Sequence, residues 1–150
     1  MKDEAGELTL WTRRKTLITD PLPELRAALD AMISNDSIID GVLLDKRTQD
    51  VKQHYYAFDV IRLNGEMLYW ETWTERRRRL EIIYQRHDLI ELAQTYDIGK
   101  QALFYRSIEA DEGIVMKKRD AAYPTGTRNC LFNQFWITVK RDEAHRGRFL

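Results

Sequence analysis

A short stretch of mixed chemistry, DEGIVMKKRD, occupies residues 111–120. It begins with carboxylates, continues through an apolar core and ends on Lys117, Lys118 and Arg119. A solvated strand would alternate polar and apolar residues, whereas this stretch keeps acid and base at opposite ends. Two interpretations fit. One is a nucleotide site, where the segment meets a metal, a base and phosphates; the other is an ordinary buried strand with charged ends.

The composition indicates a single globular domain. The chain has 150 residues, of which 43% are hydrophobic and 32% are charged, enough for one core and far from the composition of disordered chains. Lys plus Arg equals Asp plus Glu, 24 against 24, so the formal net charge is zero. A balanced chain has no overall positive field that would attract nucleic acid, and any such binding must come from local patches.

The lone Cys130 cannot form an internal disulfide, which favours the cytoplasm or another reducing intracellular compartment. The polar start MKDEAGELTL predicts no signal peptide, and no apolar run approaches the ~18 residues of a membrane span. We therefore expect no membrane partner. The three histidines are scattered without the spacing of zinc ligands, which argues against a zinc site.

The periodicity predicts one α+β domain over residues 1–150. Pro23 and Glu24 suit the first turn of a helix, Thr74 is a candidate N-cap, and Asn64-Gly65 is a turn pair. The stretch 88–110 divides at Gly99 into a strand and a helix. The other predicted elements are strands at 7–12, 37–45, 54–63, 113–117 and 135–140, and helices at 19–34 and 74–86.

The arginine run 76–79 lies on the second of these predicted helices. Four consecutive arginines point all round a helix, and Glu75 and Glu81 can pair with some of them. A solvated helix face is therefore favoured over a phosphate clamp. Trp70 and Trp73 fit core or edge packing, although an exposed aromatic residue beside arginines could also stack on a base.

Four stretches in sequence order carry a family resemblance: LWTRR, YYAFDVIRLNGE, DEGIVMKKRDAAYPTGTRN and FWITVKR. Together with the segment TERRRRLEII, they resemble the adenylation domain of ATP-dependent DNA ligases, within the covalent nucleotidyltransferase superfamily. The resemblance runs from about Gly6 to Lys140. It implies an α+β fold of antiparallel-rich sheets with flanking helices, here a truncated form of the ATP-grasp-like nucleotidyltransferase domain.

The resemblance also implies a reaction. In that family a lysine amine attacks the α-phosphate of ATP, and the resulting AMP is passed to the 5′-phosphate of a DNA nick, which is then sealed. Catalysis of this kind depends on positioning, a divalent metal and fixed cations. ATP and Mg²⁺ would be the cofactors and nicked double-stranded DNA the partner.

Site residues follow from the same resemblance. Glu112 would be the catalytic carboxylate beside the metal and the α-phosphate, and Lys140 would lie near the phosphates. Phe58 and Val115 would cover the two faces of adenine. The remaining basic positions divide into a nucleotide-contacting pair, Arg13 and Lys117, and a nucleic-acid-contacting set, Arg14, Lys118, Arg119 and Arg128.

Three of these assignments have simpler alternatives. Phe58 at the centre of a strand fits a core aromatic residue, and Val115 fits core packing because β-branched residues favour buried strands. Glu112 could cap a turn with Gly113. The residues alone leave these alternatives open.

The chain departs from the family pattern in several places. No lysine-x-aspartate-glycine motif is present, and Lys2 stands too close to Arg13 to supply the nucleophile. Valine at 42 replaces the glutamate that contacts ribose, and threonine at 138 replaces a lysine that neutralises phosphate. Leu150 lies ten residues beyond Lys140, which leaves no room for the OB-fold that ligases close over DNA.

Three hypotheses remain. The chain is a partial DNA ligase, inactive alone, with the lysine motif or OB-fold supplied by a separate chain or by the rest of its gene. Alternatively, it is a degenerate domain that binds a nucleotide, a nucleic acid or a protein. The third hypothesis is a relative of RNA ligases or capping enzymes. YPTGTRN followed by FWITVKR matches the DNA-ligase pattern and counts against the third.

Overall fold

The computed structural model describes residues 1–12, 14–18, 23–44, 54–109, 114–124 and 136–139. Three helices and eight strands lie within these ranges. In chain order they are β1 (Leu10–Trp11), β2 (Leu17–Ile18), α1 (Pro23–Met32), β3 (Ile38–Leu44), β4 (His54–Leu63), β5 (Glu66–Met67), α2 (Trp73–Ile83), β6 (Ile90–Leu92), α3 (Lys100–Glu109), β7 (Ile114–Lys117) and β8 (Trp136–Val139).

The largest sheet is built on β4, which has the bounds that its aromatic and β-branched run predicts. β3 and β5 pair with it antiparallel, and β6 pairs with it in parallel. Asn64 and Gly65, with φ of 51° and 82°, join β4 to β5. Positive φ at both central residues is the geometry of a tight hairpin turn, so the predicted turn is confirmed.

Two smaller sheets complete the strands: β1 pairs with β2, and β7 pairs with β8, both antiparallel. The sheets are therefore mostly antiparallel, with helices packed beside them, as the predicted α+β class requires. The short strands β2 and β5 were not predicted, because two residues are too few to show an alternating pattern.

The helices cover the large sheet through a few apolar side chains. Leu25, Leu29 and Met32 of α1 are buried, as their spacing predicts. Leu80 of α2 is fully buried in the same cluster as Val60 of β4. The core thus lies between these helices and the sheet, and it holds β4 in place.

The start of α2 differs from the prediction. Thr72, not Thr74, is the N-cap: its hydroxyl accepts a hydrogen bond from the Glu75 N–H at 3.2 Å. Thr74 lies in the first turn, where its hydroxyl donates to the Arg119 carbonyl at 3.2 Å. Both threonines precede the same arginine run, so residue type alone could not separate them.

The division at Gly99 is confirmed. β6 precedes it and α3 follows it, and its φ of 67° belongs to the region that glycine favours. None of the described helices is long and apolar enough to cross a membrane.

Candidate functional site

Phe58 lies at an irregular point of β4. Asp40 of β3 pairs with Asp59, and the next residue, Gly41, pairs with Ala57, so Phe58 has no partner in the register. An extra residue of this kind bends a strand and redirects its side chain. Phe58 is only half-buried and lies outside the buried core. The core alternative for Phe58 is therefore wrong.

The side chain of Lys117, the last residue of β7, extends to the Phe58 ring. Its Nζ lies 3.8 Å from the centroid of the Trp136 ring and 4.5 Å from that of Phe58. It donates to Asp59 Oδ2 at 3.2 Å and to the Phe58 carbonyl at 3.5 Å. Burial lowers the pKa of the Lys117 ammonium, and the Asp59 carboxylate opposes that shift. The cation is thus held between two aromatic rings and one carboxylate.

Asp59 is shared with a second cation. Arg76 of α2 donates to Asp59 from Nε at 2.7 Å and from Nη2 at 3.1 Å, and both side chains are fully buried. Its Nη1 donates to the carbonyls of Glu71 and Ala121 at 2.6 and 3.3 Å. The prediction of a solvated face is wrong for Arg76, because its partner lies on a strand that the helical pattern does not reveal.

A second carboxylate lies beside this group. The Tyr123 hydroxyl donates to Asp40 Oδ2 at 2.6 Å. Burial raises the pKa of Asp40, while the Tyr123 hydrogen bond and the nearby Lys117 cation lower it. The Tyr123 ring packs edge-on against Trp136, with centroids 5.1 Å apart. We call the connected set the charge–aromatic cluster, and it comprises Asp40, Phe58, Asp59, Arg76, Lys117, Tyr123 and Trp136.

Val115 lies on β7 two residues before Lys117, and therefore on the same face of the strand. Its side chain is 53% exposed, so the core-packing alternative is wrong. Met116 is exposed as well, which rules out the ordinary buried strand. Of the predicted site residues, the structure brings Phe58 and Lys117 into contact and leaves Val115 open beside them.

The two positions that depart from the family pattern, Val42 and Thr138, lie on strands that pair with β4 and β7. Val42 follows Gly41 on β3 and is 48% exposed. Thr138 pairs with Val115 in the β7–β8 register. Four predicted site residues lie outside the described part of the chain, and their roles stay predictions: Arg13, Glu112, Arg128 and Lys140.

The basic residues predicted to contact nucleic acid are only partly available. Arg14 is exposed, but Lys118 pairs with Asp120 at 3.4 Å and Arg119 pairs with Asp97. On α2, the remaining arginines pair with glutamates. The solvated-face interpretation holds for Arg78, whose side chain is 64% exposed, but not for Arg77, which is 11% exposed and also donates to the Ala93 carbonyl at 2.9 Å. The pairs are Arg77–Glu81, Arg78–Glu75, Arg79–Glu66 and Arg79–Glu71.

The two tryptophans near α2 differ from each other. Trp73 is half-buried, as packing requires, whereas Trp70 is 60% exposed and contacts the Tyr69 ring edge-on at 4.8 Å. Core packing is therefore excluded for Trp70, and its exposure agrees with the alternative of an exposed aromatic residue.

Sequence reasoning did not predict Asp40, Asp59, Arg76, Tyr123 or Trp136 as site residues. One signal was available: Asp59 is a charged residue within the otherwise apolar run YYAFDVI. A carboxylate in a buried strand requires a cation, so this residue predicts a buried partner without identifying it.

Comparison with known proteins assigns the family. The family model described as "ATP dependent DNA ligase domain" matches residues 44–140. The chain belongs to the ATP-dependent DNA ligase family. The matched range contains β4, α2, β7 and β8, and hence most of the charge–aromatic cluster.

Individual ligases agree with this assignment. The multifunctional non-homologous end joining protein LigD of Mycolicibacterium smegmatis is 26% identical over 148 residues, which cover 89% of this chain and 19% of that protein. The crystal structure of the ligase domain of M. tuberculosis LigD superposes with a TM-score of 0.70 at 27% identity, covering 93% of this chain and 48% of that one.

A second solved structure, mycobacterial DNA ligase D complexed with ATP and MES, gives a TM-score of 0.64 at 25% identity. The alignment covers 92% of this chain and 48% of that one. The chain thus spans about a fifth of the LigD protein and about half of each of the two solved chains.

Proposed function

We propose that residues 1–150 form a partial DNA-ligase adenylation domain of the ATP-grasp-like nucleotidyltransferase type, which does not form the enzyme–AMP intermediate alone. This proposal rests on the position of Lys117. Within a chain of the ligase family, its ammonium lies 4.5 Å from the centroid of the half-buried Phe58 ring, and the exposed Val115 precedes it by two residues on the same face of β7. An aromatic ring, an apolar side chain and a cation together suit a nucleotide base and its phosphates.

The described residues fit ATP only in part. Adenine would lie between Phe58 and Val115, with Lys117 supplying positive charge. The Lys117 ammonium already faces the Phe58 ring, so the base must take the other face of the ring or displace the ammonium. Val42 offers the ribose no acceptor. We therefore expect ATP to bind weakly.

Magnesium belongs to the same proposal. Glu112 would hold the ion, which would neutralise charge on the phosphates. Asp40 and Asp59 are engaged with Tyr123, Arg76 and Lys117, so the described carboxylates of the cluster are poor candidates for a metal.

The chain's first lysine is unsuited to replace the family's nucleophile. Lys2 Nζ donates to the Asp30 carbonyl at 2.9 Å and pairs with the Asp30 carboxylate at 3.1 Å. These contacts direct its amine to Asp30 of α1, which is not part of the charge–aromatic cluster. We infer that the nucleophilic amine and the OB-fold of the complete enzyme are supplied by the rest of the protein or by a separate chain. Nicked double-stranded DNA would be the substrate of the complete enzyme.

Incubation with α-labelled ATP and magnesium tests this proposal. We expect no label on the chain, whereas an intact ATP-dependent DNA ligase treated in parallel becomes labelled. A stable adduct on any lysine, labile to acid and resistant to alkali, would contradict the proposal. Lys2 would be the first residue to check.

A degenerate binding module is the second candidate, and the substitutions at Val42 and Thr138 favour it. The two candidates respond differently to complementation. A partial ligase should support adduct formation when a polypeptide carrying the lysine motif is added, whereas a degenerate module should not.

A further inference from the structure

Arg76 lies on the inner side of the charge–aromatic cluster and cannot reach a ligand itself. Its side chain is fully buried, whereas the side chain of Lys117 is 11% exposed. The guanidinium donates to Asp59 on one side and to the carbonyls of Glu71 and Ala121 on the other. A guanidinium whose donors are engaged on both sides cannot turn towards solvent. Arg76 can therefore act on a nucleotide only through another residue.

Asp59 is held unequally by its two cations. Arg76 donates to both carboxylate oxygens, from Nε to Oδ1 at 2.7 Å and from Nη2 to Oδ2 at 3.1 Å. The Val60 N–H also donates to Oδ1, at 3.0 Å. Lys117 adds a single hydrogen bond, from Nζ to Oδ2 at 3.2 Å. Without the Lys117 contact, Asp59 would still have a counterion and hydrogen bonds to both of its oxygens.

This inequality decides which cation can leave. A buried carboxylate that loses its cation is costly, so Lys117 would be retained if it alone balanced Asp59. Because Arg76 also balances Asp59, departure of Lys117 breaks only the Asp59 hydrogen bond and the 3.5 Å contact with the Phe58 carbonyl. A phosphate oxygen can accept from the ammonium in their place. The flexible lysine stem allows that movement, while the planar fork of Arg76 stays in position.

The other carboxylate of the cluster is engaged elsewhere. Asp40 accepts from the Tyr123 hydroxyl at 2.6 Å and from the Gly41 N–H at 3.0 Å. It attracts Lys117 through its charge, but less strongly than Asp59 does. Asp59 is therefore the carboxylate that Lys117 must exchange for a phosphate.

We propose that Arg76 is a positioning residue of the nucleotide site: by retaining Asp59, it allows the Lys117 ammonium to exchange this carboxylate for a phosphate of the bound nucleotide. This role rests on the proposed ATP site. Arg76 touches no atom of the nucleotide. If Arg76 is removed, Lys117 is the cation that remains on Asp59 among the described residues, so it stays there and the phosphates lose its charge.

NMR titration of the full chain with inorganic triphosphate tests this role, because triphosphate reports the phosphate contact without the base. The chain carries isotope-labelled lysine, and the ε-methylene signal of Lys117 is followed. We expect triphosphate to shift this signal in the unaltered chain. Arg76→Met should weaken triphosphate binding about tenfold, the size of one charge-assisted hydrogen bond.

A double variant separates positioning from a structural role. Adding Asp59→Asn to Arg76→Met removes the carboxylate that retains Lys117, so the triphosphate affinity should return at least to that of the unaltered chain. A purely structural Arg76 predicts no such recovery. Replacing both partners of a buried ion pair destabilises less than removing one, so the double variant should fold better than Arg76→Met.

Two further variants complete the comparison. Arg76→Lys keeps the charge and loses the fork, so its triphosphate affinity should lie between those of the unaltered chain and Arg76→Met. If Arg76→Met does not fold, Arg76→Lys takes its place, and the double variant should bind more tightly than it does. Arg78→Met removes an exposed arginine from the same helix and should leave triphosphate binding unchanged.

The outcomes distinguish the two proposals. If Arg76→Met binds triphosphate as the unaltered chain does, or if the double variant binds no better than the single one, Arg76 does not position Lys117 and the ATP site stands. If triphosphate leaves the Lys117 signal of the unaltered chain unmoved, the ATP site itself is refuted, and the role of Arg76 with it.

Discussion

At the scale of single residues, Asp59 is the carboxylate on which two buried cations depend. Asp59→Asn keeps the size of the side chain and removes its charge, so Arg76 and Lys117 lose the one carboxylate that both of them contact. Breaking a buried ion pair by removing one partner costs about 3–5 kcal/mol. We expect a loss of this size in the free energy of unfolding, measured by urea denaturation.

The control for Asp59 is an exposed pair. Arg78→Met breaks the contact with Glu75 on the surface of α2, and exposed pairs contribute about 0–1 kcal/mol. Similar losses of unfolding free energy in both variants would show that the contacts of Asp59 stabilise the protein no more than an exposed ion pair does.

Val42 provides a gain-of-function prediction. Glutamate at this position would restore an acceptor for ribose, and a charge-assisted hydrogen bond contributes about 1.5–3 kcal/mol. Val42→Glu should therefore tighten ATP by about one to two orders of magnitude, from an affinity expected in the millimolar range. Titration calorimetry measures the change.

Leu44→Glu is the matched control, because Leu44 lies two residues along the same strand and is similarly exposed. It adds the same charge on the same face and should leave the ATP affinity unchanged. Low-micromolar ATP binding by the unaltered chain would show that the absence of this glutamate does not weaken ATP binding.

At the scale of elements, Thr72 and Thr74, which precede the arginine run, have different structural roles. Thr72→Ala removes the N-cap of α2 and should cost about 1 kcal/mol. Thr74→Ala loses its bond to Arg119 but gains helix propensity, so its net cost should be smaller. Thermal unfolding of both variants checks the order, and a larger loss at Thr74 would contradict the cap assignment.

Elements that rest on local chemistry were predictable from the sequence. The bounds of β4, the turn at Asn64-Gly65 and the break at Gly99 all follow from residue type and period. The contact of Arg76 with Asp59 was not predictable, because it joins a helix to a strand 17 residues away. For Phe58 and Lys117, only the family resemblance indicated that they would meet.

At the scale of the whole molecule, the charge distribution argues for weak DNA binding. The net charge is zero, and Lys118 and Arg119 already pair with aspartates. We expect sequence-independent binding near 10⁻⁴ M, about the weak end of the non-specific range, with a salt slope of about 0.9 for each phosphate contacted. Fluorescence anisotropy with nicked and intact duplexes over a salt series measures both quantities.

Nick selectivity is the informative outcome of that series. The described basic residues offer no reason to prefer a nick, so both duplexes should bind alike. Tight, nick-selective binding at physiological salt would mean that the chain has retained a specific DNA-recognition surface.

The charge–aromatic cluster is assembled from distant parts of the chain, and this sets when it can form. The Lys117–Asp59 and Tyr123–Asp40 hydrogen bonds join residues 58 and 83 positions apart. Contacts at such separations close long loops. The chain entropy that is lost on closing a loop must be offset before the contact contributes net stability. The local hairpin of β4 and β5 and the first turns of α2 can form earlier. The site should therefore be among the last parts of the protein to appear during folding.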